Sequence, residues 1–320
     1  MTASADLQAS RPASDWRSPP PLEGLKHPGR WVAGAVAIVL SFFVLESILG
    51  NSRLQWDVVG DYLFDPGILD GLKLTIVLTF AVTAVGMALG TLIATARMSK
   101  NPVLAWLAWF YIWVFRSVPL LVQLLLWFNI AYLYPKISIG LPLLPPILEG
   151  DANKLISATT AAFLGLTLHE AAYAAEIVRG GILSVDHGQT EAGDALGMSR
   201  ARILRRIVLP QAMRSIVPAA GNLLIGTLKG TAIVSVIAVD ELLYAAQFIY
   251  NRTFEVVPLL VVATLWYMFM TAVLSILQYF VERYYGRGAT RSAVVSPWQQ
   301  VRRALLRTRG AVITPKRGRE

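Results

Sequence analysis

Long apolar segments dominate this chain and limit the folds that it can adopt. Their approximate ranges are residues 31–50, 72–97, 104–134, 155–179, 217–240 and 257–282. A membrane-spanning helix needs about 20 consecutive, mainly apolar residues, and each of these segments reaches that length. Charged residues make up only 15% of the chain, against about 25% in an ordinary soluble protein. The sequence therefore predicts an all-α, polytopic membrane protein with about six transmembrane helices.

Residue content excludes several kinds of site. The chain has no cysteine, so it has no disulfide scaffold, thiolate metal site or cysteine nucleophile. It has no Gly-x-x-x-x-Gly-Lys-Ser/Thr sequence, so it does not supply an ATP-binding loop of its own. The net charge of +9 does not indicate nucleic-acid binding, because residues 282–320 alone carry ten basic side chains and two acids. A basic tail beside a membrane span indicates a cytoplasmic segment that is attracted to anionic lipid.

The distribution of basic residues predicts the orientation, since Lys and Arg are enriched in cytoplasmic loops. They lie before the first apolar segment, between the second and third, and between the fourth and fifth, whereas the alternate connections carry clusters of Asp and Glu. Six spans with both termini in the cytoplasm satisfy this distribution, and residues 135–154 become an external loop. Residues 1–30, rich in Ser, Pro and Ala, are expected to be a disordered tail. Residues 31–50 are expected to be an uncleaved anchor, because no A-x-A cleavage site of a signal peptide follows them.

The third apolar segment is longer than a bilayer requires. A helix of about 30 residues would be roughly 45 Å long, so residues 104–134 are expected either to be tilted or to be broken near Ser117-Val118-Pro119. Proline favours a break because it removes a backbone hydrogen bond and its ring clashes with the preceding turn.

The connection between the fourth and fifth segments carries the most specific pattern in the chain. Residues 191–210 read EAGDALGMSRARILRRIVLP. The glycines in and just before this stretch predict short helices separated by turns rather than one long helix. Ala192, Ala195 and Leu196 would give the first of these helices a small apolar face that fits a groove of a partner protein. Pro210 is expected to end or bend the arginine-rich helix beside it.

This loop resembles the EAA motif of ABC importer permeases, in which Glu-Ala-Ala is followed by three residues, Gly, nine residues and Ile-x-Leu-Pro. The sequence departs from that pattern at Gly193, where the family usually has Ala. The resemblance implies a fold like that of a type I ABC importer permease, in which the loop couples the membrane domain to a separate ATPase. The predicted coupling residues are Glu191, Ala192, Gly193, Ala195, Leu196, Gly197, Ile207, Leu209 and Pro210.

Further matches extend the resemblance to permeases of polar amino-acid importers. They include RSVPLLVQL (residues 116–124), EAAYAAEIVRGGI (170–182) and KGTAIVSVI (229–237). Members of that group commonly have five spans and lack an N-terminal anchor. The predicted domains are a disordered cytoplasmic tail (1–30), an extra transmembrane helix with an external loop (31–67), the importer membrane domain (68–283) with its coupling loop (180–216), and a basic cytoplasmic tail (284–320).

Ionisable residues at membrane depth form the second group of candidates, because a charge there usually faces the bundle interior or a water-filled cavity. An amino acid carries a carboxylate and an ammonium group, so a cation and an anion that face one cavity would complement it. The predicted substrate path comprises Arg116, Gln123, Glu170, Lys229 and Thr231. The alternative is that these side chains make interhelical ion pairs or hydrogen bonds that fix the packing.

The sequence therefore predicts the permease subunit of an ABC importer for amino acids, with polar amino acids as the favoured class, in the bacterial inner membrane. The resemblance implies three kinds of partner: ABC ATPase subunits, an extracytoplasmic solute-binding protein, and a second permease subunit, identical or not. No cofactor, metal or nucleic acid is expected, and the chain is not expected to be an enzyme. A gradient-driven secondary transporter or channel is the alternative. An intramembrane enzyme using His169 and Glu170 is disfavoured, because no second catalytic cluster accompanies them.

Overall fold

The computed structural model describes residues 28–139 and 148–285 of the chain. Most of the predicted N-terminal tail, the tip of the predicted external loop and nearly all of the predicted basic tail lie outside the described residues. The chain divides into two compact units, Met1–Ser52 and Arg53–Glu320.

The first unit contains one described helix, α1 (Pro28–Leu49). Its sequence has no charged residue between Trp31 and Leu45. The side chains from Val32 to Leu49 are all exposed within this unit, and an apolar helix surface of this kind is compatible with a lipid environment. By length and composition α1 can cross a membrane, in agreement with the predicted first span.

The second unit is almost entirely helical, which confirms the predicted all-α class. Its helices are α2 (Trp56–Leu63), α3 (Pro66–Arg97), α4 (Pro102–Ser117), α5 (Leu120–Phe128), α6 (Ile130–Leu133), α7 (Ala152–Leu155), α8 (Ala158–Leu183), α9 (His187–Ala195), α10 (Arg200–Ile203), α11 (Leu209–Gly230), α12 (Leu242–Thr253) and α13 (Val256–Tyr285). A π-helical turn (Leu204–Val208) joins α10 to α11, and 3-10 helices cover Ser52–Leu54 and Thr231–Ile237. The strands β1 (Lys136–Ile139) and β2 (Leu148–Asp151) form one antiparallel hairpin.

Within the described residues, four helical stretches are long and apolar enough to cross a membrane, and the bent pair of α4 and α5 makes a fifth. The helix α8, predicted as the fourth of six spans, has 26 residues, or roughly 39 Å at 1.5 Å per residue. Its mean hydropathy is lowered by His169 and Glu170, two polar side chains that are largely shielded inside the second unit. We therefore treat α8 as a span, while the count of six stays a prediction.

The long third segment is broken, which decides between the two expectations for it. The axes of α4 and α5 differ by 101°, and Pro119 lies at the junction as the residue before α5. The side chain of Gln123 closes the junction, because its Nε2 donates to the carbonyl oxygens of Phe115 (2.9 Å) and Val118 (2.7 Å). These bonds satisfy carbonyl groups that the end of α4 would otherwise leave unpaired.

The predicted external loop contains the hairpin, which the sequence analysis did not anticipate. Lys136 of β1 pairs with Asp151 of β2 in the strand register. The Lys136 Nζ atom lies 2.9 Å from Glu149 Oε1, and the hydrogen bond and charge of Glu149 raise the pKa of Lys136. Because both side chains are exposed, this ion pair adds little to stability.

The most extensive helix contact in the second unit joins α3 and α8 through small residues. A Cβ atom added to Gly90 would lie 2.5 Å from the Ala174 Cβ and 2.8 Å from the Ala171 carbonyl oxygen. Gly86, one turn earlier, faces Glu170 in the same way, at 3.1 Å. The Gly86-x-x-x-Gly90 spacing thus lets the two backbones approach closely, as small residues do between membrane helices.

Buried polar groups fix the turn that precedes α12. The carboxylate of Glu241, which is fully buried, accepts hydrogen bonds from the Tyr244 backbone N–H (2.8 Å) and the Tyr267 hydroxyl (2.7 Å). On α3, Thr75 Oγ1 accepts a hydrogen bond from the Leu242 N–H (3.0 Å). This network joins α3, α12 and α13, because each helix supplies one of its members.

Replacing Gly90 by Ala should lower the thermal stability of the purified protein. The added methyl group would collide with the backbone of α8, and overpacking of this kind costs about 1–3 kcal/mol. Gly180→Ala is the matched control, since an added Cβ there has no atom within 4 Å. Thermal unfolding in detergent measures both variants. Equal unfolding midpoints for the two would contradict the close contact of α3 with α8.

Candidate functional site

The predicted coupling loop folds into two short helical pieces. The first piece, α9, begins after Asp186, whose Oδ1 accepts a hydrogen bond from the Gly188 N–H (2.7 Å). This cap satisfies an N–H group that the start of a helix leaves unpaired. The second piece is α10 with its π-helical turn, which leads directly into α11. The prediction of short helices separated by turns is confirmed for α9, whereas the second piece continues without a break into the long helix that follows.

Gly197 ends α9 in the left-handed backbone conformation, with φ 69°. Its N–H donates to the Asp194 carbonyl oxygen (2.9 Å), and the Met198 N–H donates to the Gly193 carbonyl oxygen (3.1 Å). These two bonds form the Schellman cap, in which glycine avoids the steric cost that a side chain would impose. The spacing between Glu-Ala-Gly and Gly197 thus has a geometric reason, because the glycine stands where the helix stops.

Gly193, the departure from the EAA pattern, lies on the buried face of α9. An added Cβ atom would lie 2.9 Å from Ile203 Cγ1 and 3.3 Å from Ile207 Cδ1. Glycine therefore lets α9 lie close against α10 and the π-helical turn. These neighbours are side-chain atoms rather than backbone, so an alanine at this position would require the two isoleucines to move.

The opposite face of α9 is exposed to solvent. Glu191, Ala192, Ala195 and Leu196 lie on it, and Leu196 has 80% of its area accessible. A large apolar side chain this exposed, flanked by small ones, is suited to binding another protein. The predicted coupling residues therefore divide into two sets. One set forms this exposed face. The other five are Gly193, whose buried side faces Ile207, the glycine cap Gly197, Ile207 itself, the half-buried Leu209 and the exposed Pro210.

Pro210 does not end the helix in which it lies, so the expectation of a helix end there is wrong. Arg200–Ile237 is one continuous helical stretch. Pro210 lies in the first turn of α11, directly after the π-helical turn Leu204–Val208. The wider π-helical turn accommodates a residue that has no N–H to donate and a ring that crowds the preceding turn.

A row of polar and aromatic side chains leads from the junction of α4 and α5 onto α8. The Arg116 guanidinium lies 5.2 Å from the centre of the Tyr173 ring, and the rings of Tyr173 and His169 are 5.0 Å apart. His169 Nδ1 lies 3.2 Å from Gln123 Nε2. Two residues of the predicted substrate path, Arg116 and Gln123, are thus brought to one region. The buried Gln123 Oε1 has no hydrogen-bond partner among the described residues.

The other three residues of the predicted path lie apart from this row. Glu170 is buried against α11 and accepts a hydrogen bond from Thr227 Oγ1. Thr231 is buried and donates to the Leu228 carbonyl oxygen (2.6 Å), whereas Lys229 is exposed. The five residues do not face one common cavity within the described part of the subunit, so their contact with a substrate stays a prediction.

The sequence analysis missed an open cleft of about 410 Å³ between α3, α4 and α8. Arg97 and Arg116 line it together with Tyr173, Glu176 and Arg179 of α8. The Arg179 Nη2 atom lies 2.8 Å from Glu176 Oε2. The sequence did contain a signal for this cleft. Tyr173, Glu176 and Arg179 follow Glu170 at intervals of three residues, and residues three apart are neighbours on a helix surface. In residues 28–139 and 148–285, no group of His, Asp or Glu side chains is arranged to hold a metal ion.

Comparison with known proteins identifies several related chains. Residues 86–287 match the family model of the binding-protein-dependent transport system inner membrane component. The arginine transport system permease protein ArgU of Corynebacterium glutamicum is 42% identical over 285 residues, which cover 88% of each chain. This match extends into residues 1–67, because so much of the present chain is covered. The L-cystine transport system permease protein TcyB of Bacillus subtilis is 35% identical over 75% of this chain and 94% of its own length.

Two solved structures resemble the fold. A crystal structure of an amino acid ABC transporter with histidines has a TM-score of 0.59 and 36% identity, covering 69% of this chain and 95% of that chain. A structure of the MetNI methionine ABC transporter in an inward-facing conformation has a TM-score of 0.51 and 21% identity, covering 71% of this chain and 97% of that chain. At 21% identity, the similarity to the methionine transporter supports a shared fold and nothing more.

Replacing Gly197 by Ala should loosen the end of α9, because an L-residue pays about 1–2 kcal/mol to adopt the left-handed conformation. Gly197→Asn is the matched control, since asparagine enters this conformation more readily. Hydrogen exchange of the amides of Gly193 to Met198 measures the effect. We expect clearly faster exchange in the Ala variant than in the Asn variant. Exchange at the wild-type rate in Gly197→Ala would contradict the proposed role of the glycine cap.

Proposed function

This chain belongs to the family of binding-protein-dependent transport system inner membrane components, and from this premise we propose that it is the permease subunit of an ATP-driven importer of amino acids. It is a multi-pass membrane protein. Members of the family work with ATPase subunits, and the chain has no ATP-binding loop of its own. The observation that carries the proposal is the exposed face of α9, which is presented at the connection between two long helices of the membrane domain.

We assign the docking of the ATPase to this face. Leu196 and its small neighbours, Ala192 and Ala195, fit a groove on a partner in the way that an amphipathic helix does. Because Gly193 rests closely on Ile203 and Ile207, a displacement of α9 is passed on to the helix behind it. The coupling surface therefore consists of the exposed residues that touch the ATPase and the buried residues that transmit its movement.

Contacts between α8 and α11 allow these two helices to move together with α9. Near the loop, Ser184 Oγ lies 3.2 Å from Ser215 Oγ. Farther along, the Thr227 hydroxyl donates to the Glu170 carboxylate. In the mechanism we propose, ATP binding closes the ATPase dimer and moves α9, and the membrane helices then rock so that access to the substrate alternates between the two sides. Hydrolysis and product release reset the complex.

The proposed cargo is an amino acid, with arginine as the first candidate. This choice is supported by ArgU, an arginine transport system permease protein that is 42% identical over 88% of each chain. The predicted path residues Arg116 and Gln123 meet near Tyr173 and His169 at the junction of α4 and α5. We propose that the substrate passes this junction, because the buried Gln123 Oε1 has no hydrogen-bond partner among the described residues and can accept a hydrogen bond from a cationic group of the cargo.

The proposed assembly has three further features. An extracytoplasmic solute-binding protein delivers the substrate to the external side, where the β1–β2 hairpin and α12 lie in the predicted topology. A second permease subunit, identical or related, completes the membrane domain. Both termini face the cytoplasm of a bacterial cell, as the positive-inside distribution supports. A gradient-driven transporter or channel is not favoured, because such a protein has no use for an exposed helix that docks an ATPase.

Uptake by the reconstituted importer tests this function. Proteoliposomes that contain the chain, its ATPase and its binding protein are given labelled arginine, cystine or glutamate, with and without internal ATP. Leu196→Glu should reduce ATP-dependent uptake about tenfold or more, because a charge would enter an apolar contact without a partner. Met98→Glu is the matched control, since Met98 is also an exposed apolar residue but lies between α3 and α4, outside the coupling loop.

Two results would contradict the proposal. Uptake that continues at the same rate without ATP would show that the transport is driven by a gradient. If Leu196→Glu and Met98→Glu impair uptake equally, with both complexes intact, then α9 is not part of the coupling surface.

A further inference from the structure

We propose that the cleft between α3, α4 and α8 binds the headgroup of an anionic phospholipid in the cytoplasmic leaflet. The cleft has a volume of about 410 Å³ and is open at the surface of the subunit. This inference rests on the proposed function for its orientation, because docking of the ATPase places α9 and the preceding end of α8 in the cytoplasm. Arg97 is the last residue of α3, and Arg179 lies about 6 Å from the end of α8 along its axis.

The charges in the cleft favour an anion. Three guanidinium groups line it, from Arg97, Arg116 and Arg179, against the single carboxylate of Glu176. That carboxylate is already engaged, since Arg179 Nε and Nη2 donate to Glu176 Oε2 at 3.2 and 2.8 Å. Among residues 28–139 and 148–285, neither Arg97 nor Arg116 has a carboxylate within salt-bridge distance, although both attract Glu176 at longer range. These two guanidinium groups, of which that of Arg116 also lies over the Tyr173 ring, line one cleft and suit a phosphate, which arginine binds with paired N–H donors.

The rim of the cleft is aromatic and faces outward. Trp109 and Trp113 of α4 line it, and 44% and 53% of their respective areas are exposed. Their rings are stacked, 6.3 Å apart and 14° from parallel. Tryptophan is enriched at the level of the lipid headgroups, and basic pockets between membrane helices on the cytoplasmic side take up anionic headgroups. Acyl chains would lie against the tryptophans while the phosphate lies between the arginines.

The same features argue against the transported amino acid as the occupant. An amino acid presents an ammonium group besides its carboxylate, and a basic amino acid adds a second cation. The cleft offers these cations only Glu176, which is paired with Arg179. A phosphodiester carries negative charge without a compensating cation in lipids such as phosphatidylglycerol. The net positive charge of the cleft therefore selects an anionic lipid over a zwitterionic or cationic solute.

Tryptophan quenching by brominated lipid tests the site on the assembled complex of the permease with its ATPase. The probes are brominated phosphatidylglycerol and brominated phosphatidylcholine, each in vesicles of otherwise unbrominated phosphatidylcholine. We expect phosphatidylglycerol to quench at lower mole fractions than phosphatidylcholine. Arg97→Gln and Arg116→Gln should each weaken this preference roughly fivefold, the contribution of one basic residue at a membrane surface. Lysine at both positions should restore only part of the preference, because it keeps the positive charge but not the paired N–H donors.

Matched controls separate the site from general charge effects. Arg252→Gln removes an arginine that lies over the Phe248 ring, far along the chain and outside the cleft, and should leave the preference unchanged. Thermal unfolding of each variant excludes loss of the fold. Because quenching requires no transport, failure of the proposed importer function would leave the lipid result readable on its own.

Three outcomes would overturn the proposal. One is equal quenching of the wild-type complex by the two lipids. Another is displacement of the lipid by inorganic phosphate at an equal phosphate concentration, which would identify a soluble anion as the occupant. The third is an unchanged lipid preference in both Arg97→Gln and Arg116→Gln, which would show that the arginines of the cleft do not bind the headgroup.

Discussion

The close contact between α3 and α8 sets the geometry on which the other features of the second unit depend. Gly90 lies against the backbone of Ala171 and the methyl group of Ala174, so the two helices meet without intervening side chains. In lipid, helices associate through such packing and not through removal of apolar surface from water. With α3 fixed against it, α8 positions Glu170 toward α11 on one side and the cleft with Arg97 on the other.

The shape of the coupling surface is determined by the residues that start and stop α9, and not by the apolar spans. Asp186 starts α9 and Gly197 stops it, and Gly193 lets it rest on the returning helix. The EAA pattern can thus be read physically. Gly193 sets the distance between α9 and the helix behind it, Gly197 provides the left-handed cap, and Pro210 lies beside a π-helical turn. What remains exposed, above all Leu196, is available to a partner.

Much of this architecture could be predicted from local chemistry. The apolar runs predicted the helices, Pro119 indicated where the third segment would break if it was not simply tilted, and the glycines predicted that α9 would be short. Each of these signals acts within a few residues of its own position. The prediction failed where neighbours decide the outcome. Pro210 was expected to end or bend a helix, but the helix does not end there, because the π-helical turn before it accommodates the residue that lacks an N–H.

Contacts between distant segments were the least predictable feature. Counting residues along a span gives the depth of a side chain but not the direction in which it points, so Lys229 and Glu170 seemed equivalent in the sequence. In the structure Lys229 is exposed, whereas Glu170 is buried with Thr227 as its donor. The paired strands β1 and β2 were also missed, because their register depends on pairing between two segments that are separated in the sequence.

Site-specific crosslinking tests the central claim, which is that α9 docks the ATPase, most directly. The chain has no cysteine, so Leu196→Cys introduces a unique thiol, and a short bifunctional reagent should join it to the ATPase subunit. Phe254→Cys, at a residue that is 84% exposed in the connection between α12 and α13, should give no such product. Crosslinking from Phe254→Cys but not from Leu196→Cys would contradict the account.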